Sequence, residues 1–445
     1  MRTLRRVRTL APCLLFLLAA AAGARALERG AEFDPAAIDA AIAQLGNDDF
    51  GVREAATTAL KSMGDGIASQ LTVALTQAPD AETKSRIQKI LTSWPVGKIV
   101  WEFEAGFLFY HPVVADSHVY VGNKDMNFFC LDANTGKELW KSPIEGLMHA
   151  SPVLSLDGSR VVVIRTLKDG RADGTLICLS TKDGSQLWTY HGEDSQFFSA
   201  PVIADGRLFV ATEERMLCLD MATGTKVWER SAPQAIVTQP TVAGKRVVFG
   251  CLDDKLYCVS AEEGAPVWNF ETRDAIPHAG AAIVGDRVFA GSNDNNIYCL
   301  DFKTGGRMWS FSGDGRIAGA PACADGKLFA GTDNGTFYCL KQDSGEVLWK
   351  IATEGTIFAS ASVTRDAVYV VSINNKLTLR CLNPDDGKQR WTFTTQEAGY
   401  ATPVLWQRRV FVGYHSKFYC LRTAQPGPAS WPMTGGNAAR TNGND

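Results

Sequence analysis

The stretch Cys-Leu-Asp-Ala-Asn-Thr-Gly-Lys-Glu-Leu-Trp, residues 130–140, decides the fold because its Gly-x-x-x-Trp core recurs along the chain. The copies are spaced by about 40 residues, with one longer unit, and a fixed period of this kind indicates an array of one supersecondary unit. The copies are Gly97/Trp101, Gly136/Trp140, Gly184/Trp188, Gly224/Trp228, Gly264/Trp268, Gly305/Trp309, Gly345/Trp349 and Gly387/Trp391.

Each repeat is predicted to form four short strands, A to D. In the first repeat, hydrophobic segments occupy 113–114, 119–121, 128–131 and 139–140, and turn-forming residues separate them. Four antiparallel strands in a repeat of this length are typical of one β-propeller blade.

The number of blades follows from counting the strands. Sets of strands A, B and C occur eight times, and the last set, from about Tyr400 to Leu421, has no strand D after it. The first Gly-x-x-x-Trp copy, conversely, has no strands A to C before it. We therefore expect the strand at 97–104 to complete the last blade, which removes the open sheet edges of a linear array. The prediction is a mainly β fold, a closed eight-bladed propeller over residues 96–424.

The repeat resembles the tryptophan-docking motif of the quinoprotein propellers, in which the indole packs on the small first residue of the motif. The family includes dehydrogenases that hold pyrroloquinoline quinone (PQQ) with calcium, and BamB-like propellers that are not catalytic. The dehydrogenases use a pair of adjacent cysteines, calcium-binding acids and an aspartate base. This sequence has no adjacent cysteines. The resemblance therefore favours a protein without a cofactor, and PQQ with calcium is the alternative.

Ten of the eleven cysteines follow the first 26 residues, and eight of these occupy the same position in strand C. The eight are Cys130, Cys178, Cys218, Cys258, Cys299, Cys339, Cys381 and Cys420. Equivalent positions of neighbouring blades are expected to lie farther apart than the roughly 7 Å between Cα atoms that a disulfide tolerates. We therefore predict buried free thiols that serve as small apolar residues. The spacing also disfavours a zinc site.

Residues 1–26 are predicted to be a secretory signal. Basic residues precede a short apolar core at Leu10–Ala22, and Ala24-Arg25-Ala26 offers a cleavage site. An uncleaved anchor is the alternative. Cleavage removes five arginines and no acids, which changes the formal net charge from −3 to −8. An acidic mature chain argues against nucleic acid as the main partner.

Residues 27–95 are predicted to form a small α-helical domain. Apolar residues recur at helical spacing, and Asp34, Asp49 and Asp80 stand where N-caps are expected. The segment Asp49–Leu60 resembles HEAT-like helical pairs, which commonly bind proteins. A cap on the propeller is the alternative. The stretch 425–445 is rich in Pro, Gly and Asn and is predicted to be a flexible tail.

Candidate binding residues emerge when the repeats are aligned on the proline that opens strand A. The third residue before it is often aromatic or histidine, and most repeats carry an acid four to five residues earlier. The first column contains Phe109, His149, Phe198, Val237, His278, Ala318, Phe358 and Tyr400. The second column contains Glu104, Glu145, Asp194, Asp274, Asp314, Glu354 and, slightly offset, Glu397.

These columns predict an aromatic mouth with an acidic collar around the propeller axis. The alternative is that the aromatic side chains only plug the funnel and the acids are solvated loop residues. The leading hypothesis is a monomeric, non-catalytic, exported scaffold, periplasmic or extracytoplasmic, that binds a protein in the cell envelope. The alternatives are a PQQ-dependent dehydrogenase and a carbohydrate-binding propeller.

Overall fold

The computed structural model describes residues 34–424, apart from 109–110, 124, 149, 167–173, 193–196, 198, 277–279, 398 and 400. The predicted signal, 1–26, and the predicted tail, 425–445, lie outside the described residues. The chain divides into two compact units, Met1–Val100 and Trp101–Asp445.

The first unit is helical, as predicted. Its helices are α1 (Pro35–Ala43), α2 (Phe50–Ser62), α3 (Ala68–Gln77) and α4 (Ala81–Ser93), with 3-10 turns at Gln44–Gly46 and Gly64–Ile67. Asp34, Asp49 and Asp80 cap α1, α2 and α4, because their carboxylates accept backbone N–H groups of the first helical turn. The predicted caps are thus confirmed, and the likeness to HEAT pairs stays a prediction.

The helices pack their apolar faces together. Leu45, Leu60, Leu71 and Ile87 are fully buried in one cluster. Arg86, which is also buried, bonds the carboxylates of Glu54 on α2 (2.6 Å) and Glu82 on α4 (2.7 Å). This guanidinium therefore ties two helices together at the edge of the core.

The described residues of the second unit form 32 strands, of which β1 begins at the end of the first unit. In chain order they are β1 (Ile99–Leu108), β2 (Val113–Ala115), β3 (His118–Gly122), β4 (Asn127–Asp132), β5 (Glu138–Pro143), β6 (Leu147–Met148), β7 (Val153–Leu154), β8 (Arg160–Thr166), β9 (Gly174–Ser180), β10 (Gln186–His191), β11 (Val202–Ala204), β12 (Arg207–Ala211), β13 (Arg215–Asp220), β14 (Lys226–Ser231), β15 (Thr241–Ala243) and β16 (Arg246–Gly250). The remainder are β17 (Lys255–Ser260), β18 (Pro266–Glu271), β19 (Ala281–Val284), β20 (Arg287–Gly291), β21 (Asn296–Asp301), β22 (Arg307–Ser312), β23 (Ala322–Ala324), β24 (Lys327–Gly331), β25 (Thr336–Lys341), β26 (Val347–Ala352), β27 (Ser362–Val363), β28 (Val368–Ile373), β29 (Leu377–Leu382), β30 (Gln389–Thr394), β31 (Val404–Trp406) and β32 (Arg409–Arg422).

These strands form eight antiparallel sheets, one for each predicted blade. Blade 1 is β2–β5, blade 2 is β6–β10 with the additional short strand β6, and blades 3 to 7 follow in groups of four. Blade 8 has the order β1-β32-β31, so the N-terminal strand completes the last blade. The rings of Phe411 and Phe418 stack with centroids 6.1 Å apart, which shows that β32 folds back as the hairpin of strands B and C. The predicted eight-bladed, closed ring is confirmed.

Tryptophan and arginine side chains join neighbouring blades. The indole N–H of Trp268 in blade 4 donates to the carbonyl of Phe302 in blade 5 (2.9 Å), and the guanidinium of Arg246 in blade 4 donates to the same oxygen (2.5 Å). In three other blades an indole and a guanidinium likewise donate to one carbonyl of the next blade. The donors and their shared acceptors are Trp188 and Arg160 to Met221, Trp228 and Arg207 to Ala261, and Trp309 and Arg287 to Gln342. The indole bonds of Trp101, Trp140 and Trp349 reach Ala133, Thr181 and Pro384.

Blades 1 and 7 lack the arginine. The corresponding positions hold His118 and Ala367, and a tyrosine stands two residues later. The ring of Tyr120 lies 6.0 Å from the ring of Trp140, and the ring of Tyr369 lies 5.9 Å from the ring of Trp391. Both tyrosines therefore pack beside the motif tryptophan of their own blade.

Trp391 of blade 7 differs from the other seven motif tryptophans. Its ring is half-buried, pairs in register with Cys381 and lies 5.9 Å from the ring of Tyr369, both in its own blade. Within the described part of the chain its indole makes no hydrogen bond to the next blade, unlike the other seven. The physical reason is that blade 8 has no continuous C–D turn to receive the indole, because its strand C ends at Arg422 and its strand D is β1, from the other end of the chain.

The motif glycines and cysteines surround each indole. A Cβ added to Gly305 would lie 2.7 Å from the ring of Trp268 in the preceding blade, and the φ of Gly305 is +74°. Cys299 pairs in register with Trp309 of its own blade. The ten described cysteines are free and buried. Burial raises the pKa of Cys178 and Cys258 to about 12.

Candidate functional site

One face of the propeller, here the loop face, is formed by the D–A loops and the B–C turns. Backbone bonds join the two kinds of segment, as from Asn293 N–H to the carbonyl of Ala275 and from Asp333 N–H to the carbonyl of Arg316. The opposite face, here the turn face, carries the A–B and C–D turns, where the tryptophans dock. The predicted binding columns belong to the loop face.

The aromatic column is only partly described. Val237 is 8% exposed and belongs to the core, whereas Phe358 is 38% exposed. Ala318 is half-buried. Phe109, His149, Phe198, His278 and Tyr400 lie outside the described residues. The predicted aromatic mouth thus has one described aromatic member, Phe358, and it reaches solvent.

The acidic column is exposed to solvent in the part of the chain that the structure describes. Exposed members are Glu104, Glu145, Asp274, Asp314 and Glu354, and Asp194 lies outside the described residues. Glu104 lies 3.7 Å from the ammonium of Lys417. Glu145, Asp274 and Glu354 are in no ion pair with a described residue.

Asp314 differs from the other acids of the column because its carboxylate is hydrogen-bonded to the adjacent B–C turn. It accepts from the hydroxyls of Thr332 (2.9 Å) and Thr336 (2.5 Å) in the adjacent B–C turn. Partial burial alone would raise the pKa of Asp314, but these hydroxyl bonds outweigh it and the pKa is lowered. Asp294 plays a similar part, because it accepts from the hydroxyl of Tyr298 (2.5 Å) and the backbone N–H of Arg273.

Several charges on the turn face are bonded within the ring. Asp132 accepts from the hydroxyl and backbone N–H of Thr135, and Asp220 and Asp301 repeat this with Thr223 and Thr304. Lys327 pairs with Asp385 of the next blade. The guanidinium groups of blades 2 to 5 bond carbonyls of the following blade, as described above. Glu138, Glu263 and Glu346 on the same face are exposed and in no ion pair with a described residue.

His111, which is in neither of the aligned columns of the sequence analysis, makes hydrogen bonds that link blades 8, 1 and 2 at the ring closure. Its Nδ1 accepts the backbone N–H of Thr402 in blade 8 (2.8 Å), and its own backbone N–H donates to Ser151 Oγ in blade 2 (3.2 Å). A small pocket beside it is lined by His111, Gly122, Asn123, Phe128, Met148, Ala150, Pro152 and Val163. Because no other repeat has histidine directly before the strand-A proline, a search for repeated columns could not find it.

No group of three or more His, Cys, Asp or Glu side chains among the described residues could hold a metal ion. The acids of the loop face are spread over different blades, and Asp314 and Asp294 are already bonded to hydroxyl groups. No helix in the described part of the chain is both long and apolar enough to cross a membrane.

The fold and the interblade contacts define a closed eight-bladed propeller of the quinoprotein type. A family model described as the β-propeller of the β-alanine-activating enzyme matches residues 212–440, which is half of the chain. The chain belongs to this propeller family. A second model, described as the outer membrane protein assembly factor BamB, matches residues 90–200.

Solved structures show the same fold. BamB from Moraxella catarrhalis has a TM-score of 0.60 at 15% identity, over 73% of this chain and 99% of that one. The computationally designed Ika8 protein has a TM-score of 0.64, also at 15% identity, over 73% of this chain and 98% of that one. None of the curated proteins matches the sequence. The propeller is therefore BamB-like in its architecture.

Proposed function

We propose that this chain is a non-catalytic scaffold of the cell envelope, and that its acidic loop face binds a basic surface on a protein partner. The predicted acidic collar carries the proposal. Glu145, Asp274 and Glu354 stand at the equivalent position of three D–A loops, are exposed, and are outside ion pairs with described residues. Unpaired carboxylates on one face attract and orient a basic partner.

Two further features support a role in the envelope. Residues 1–26 have the pattern of a secretory signal, which would export a monomeric propeller to the periplasm or another extracytoplasmic space. BamB, to which the propeller is similar, is named as an outer membrane assembly factor. The exposed Phe358, four residues after Glu354, offers an apolar anchor within the same acidic surface.

The test compares two variants with the same change in charge. The first carries Glu145→Gln, Asp274→Asn and Glu354→Gln on the loop face, and the control carries Glu138→Gln, Glu263→Gln and Glu346→Gln on the turn face. Each is immobilised and exposed to detergent-solubilised envelope protein of the organism that makes the chain, at about 50 and 200 mM salt.

We expect the unmodified protein to capture a partner at low salt, the control to capture as much, and the loop-face variant to capture at least tenfold less. Equal capture by the two variants would contradict the assignment of the loop face. Isothermal titration with PQQ, with and without calcium, tests the competing cofactor. We expect no heat of binding, and calcium-dependent one-to-one binding would overturn the non-catalytic assignment.

A further inference from the structure

Two aspartates at equivalent positions of the loop face differ in the hydrogen bonds of their carboxylates. Asp294, in the B–C turn of blade 5, accepts from the hydroxyl of Tyr298 (2.5 Å). It also accepts the backbone N–H groups of Asn296 (2.9 Å) and of Arg273 (3.0 Å), which lies in the D–A loop that leads into this blade. Both carboxylate oxygens of Asp294 are therefore bonded within the chain.

Asp253 is the equivalent residue of blade 4, and one of its carboxylate oxygens has no partner among the described residues. It keeps the tyrosine bond, from the hydroxyl of Tyr257 (2.5 Å), but its Oδ1 is buried and accepts no hydrogen bond from the described part of the chain. One of the missing donors has a simple cause, because Pro233 stands where blade 5 has Arg273, and proline has no backbone N–H. A buried acceptor without a donor is costly, so a donor supplied by another molecule would be stabilised here.

No ion pair within the described part of the chain neutralises the carboxylate of Asp253. The thiol of Cys251 donates to the carbonyl of Gln234 (3.1 Å), and burial raises the pKa of this thiol to about 11, so it stays uncharged near neutral pH. Arg230 acts electrostatically on Tyr257, but it is in no ion pair with Asp253. The negative charge at this turn is therefore available to a basic group of another molecule.

An exposed apolar residue, Leu252, stands directly before Asp253, and its side chain is 40% exposed. Backbone bonds fix this turn to its neighbours. The N–H of Leu252 donates to the carbonyl of Ala235 in the D–A loop (3.0 Å), and the next residue of that loop, Ile236, donates to the carbonyl of Glu213 in blade 3 (3.0 Å). Leu252 is thus held in place before a partner binds, which lowers the entropy cost of binding.

Acids outnumber bases in the loop segments around Leu252. The segments are the B–C turns 213–214 and 252–254 and the D–A loops 232–236 and 272–275. They contain five acids and one base, Arg273, and the strands after the two turns begin with Arg215 and Lys255. None of the five acids is in an ion pair with a described residue. Together with Leu252 they form a surface, here the acidic sector, that consists of Glu213, Glu214, Leu252, Asp253, Asp254 and Asp274.

We propose that the acidic sector is the part of the loop face at which a partner protein places a basic side chain against Asp253 and an apolar side chain against Leu252. The inference rests on the proposed function and adds the position of the contact and the chemistry of the partner. A guanidinium or ammonium group supplies the donor that Asp253 lacks, and a charge-assisted bond of this kind is strong. Asp253 is half-buried and the carboxylate torsion of aspartate is soft, so the group can turn toward a donor at the surface.

The probe is a fluorescein-labelled peptide in which arginine and leucine are separated by glycine, and its binding is measured by fluorescence anisotropy at about 50 mM salt. Two further peptides replace arginine by glutamate or leucine by serine. Leu252→Ser removes the apolar contact, and Leu156→Ser is its control because Leu156 is 66% exposed on the turn face. Pro233→Ala restores a backbone N–H opposite Asp253 without a change in charge, and Pro266→Ala is its control because Pro266 is exposed at the start of β18.

We expect Leu252→Ser to bind the arginine–leucine peptide about fivefold more weakly and Pro233→Ala about threefold more weakly, while both controls bind it as the unmodified protein does. The unmodified protein should bind the glutamate and serine peptides more weakly than the arginine–leucine peptide. Calorimetric unfolding verifies that each variant is folded, and if one is not, the other decides. Unchanged affinity in either folded variant would overturn the assignment of the acidic sector.

A double variant outside the acidic sector, Glu145→Gln with Glu354→Gln, separates this inference from the proposed function. We expect it to bind the arginine–leucine peptide within about twofold of the unmodified protein. If it loses binding whereas Leu252→Ser and Pro233→Ala retain it, the loop face is still the docking surface and the acidic sector is the wrong part of it. If the unmodified protein does not distinguish the arginine–leucine peptide from the glutamate peptide, both the inference and the proposed function fail.

Discussion

Replacing Arg246 by methionine tests whether the shared carbonyl stabilises the joint between blades 4 and 5. The guanidinium donates to the carbonyls of Phe302 (2.5 Å) and Lys303 (3.0 Å) and lies 5.3 Å from the centroid of the Phe302 ring. Methionine keeps the apolar stem and removes only the charged donor.

The expected loss follows from these contacts. A hydrogen bond from a charged donor contributes roughly 1.5–3 kcal/mol, and a cation–π contact at an exposed site contributes roughly 0.5–1 kcal/mol. The carbonyl of Phe302 keeps its bond from Trp268, so no acceptor is orphaned there. We therefore expect Arg246→Met to lower the free energy of unfolding by about 2 kcal/mol, which is the low end of the summed hydrogen-bond and cation–π contributions. For a propeller of about 325 residues, this loss lowers Tm by about 3 °C.

Urea unfolding followed by tryptophan fluorescence, together with calorimetry, measures this change. Arg307→Met is the matched control, because Arg307 is exposed on β22 of the neighbouring blade 5 and should change stability by less than about 0.5 kcal/mol. Trp268→Phe combined with Arg246→Met should destabilise by more than the sum of the single changes, since only the double variant leaves Phe302 O without both donors. Strict additivity, or an equal effect of Arg307→Met, would refute the shared-carbonyl clamp.

Three further predictions concern the other parts of the interblade joint. Tyr369→Leu removes the ring that packs 5.9 Å from the ring of Trp391 and should cost about 1 kcal/mol or more in urea unfolding, and an effect near zero would contradict a stabilising ring contact. Gly305→Ala should destabilise far more than Gly244→Ala, because both have positive φ but only the Cβ at 305 meets an indole, at 2.7 Å. Thermal unfolding of the two variants measures the difference, and equal losses would exclude the indole contact as the cause. The ten described cysteines should not react with a thiol reagent at pH 8 in the folded protein, since burial raises the pKa of Cys258 and Cys339 to about 12, and all should react in denaturant. Rapid labelling of the folded protein would show that the thiols are accessible.

The sequence by itself determined the ring, the blade count and the strand that closes it. This was possible because each blade makes much the same contacts with its neighbour. The residues that make those contacts therefore recur in the sequence at the spacing of the repeat. Trp101 without preceding strands and Leu421 without a following strand were enough to predict that the two ends meet in blade 8. The same reasoning placed the cysteines at equivalent positions, and the structure shows those described as free and buried.

Only the tertiary structure decided what individual members of a column do. Asp274 and Asp314 occupy the same column, yet Asp314 is bonded to two threonine hydroxyls that no spacing rule links to it. Trp391 has the same motif as seven other tryptophans, but it faces the one blade whose C–D connection is divided between the two chain ends. His111 stands alone in its column, and its partner Thr402 is 291 residues away. A period records what the blades share, whereas charge, exposure and protonation at one position depend on neighbours that folding brings together from distant parts of the chain.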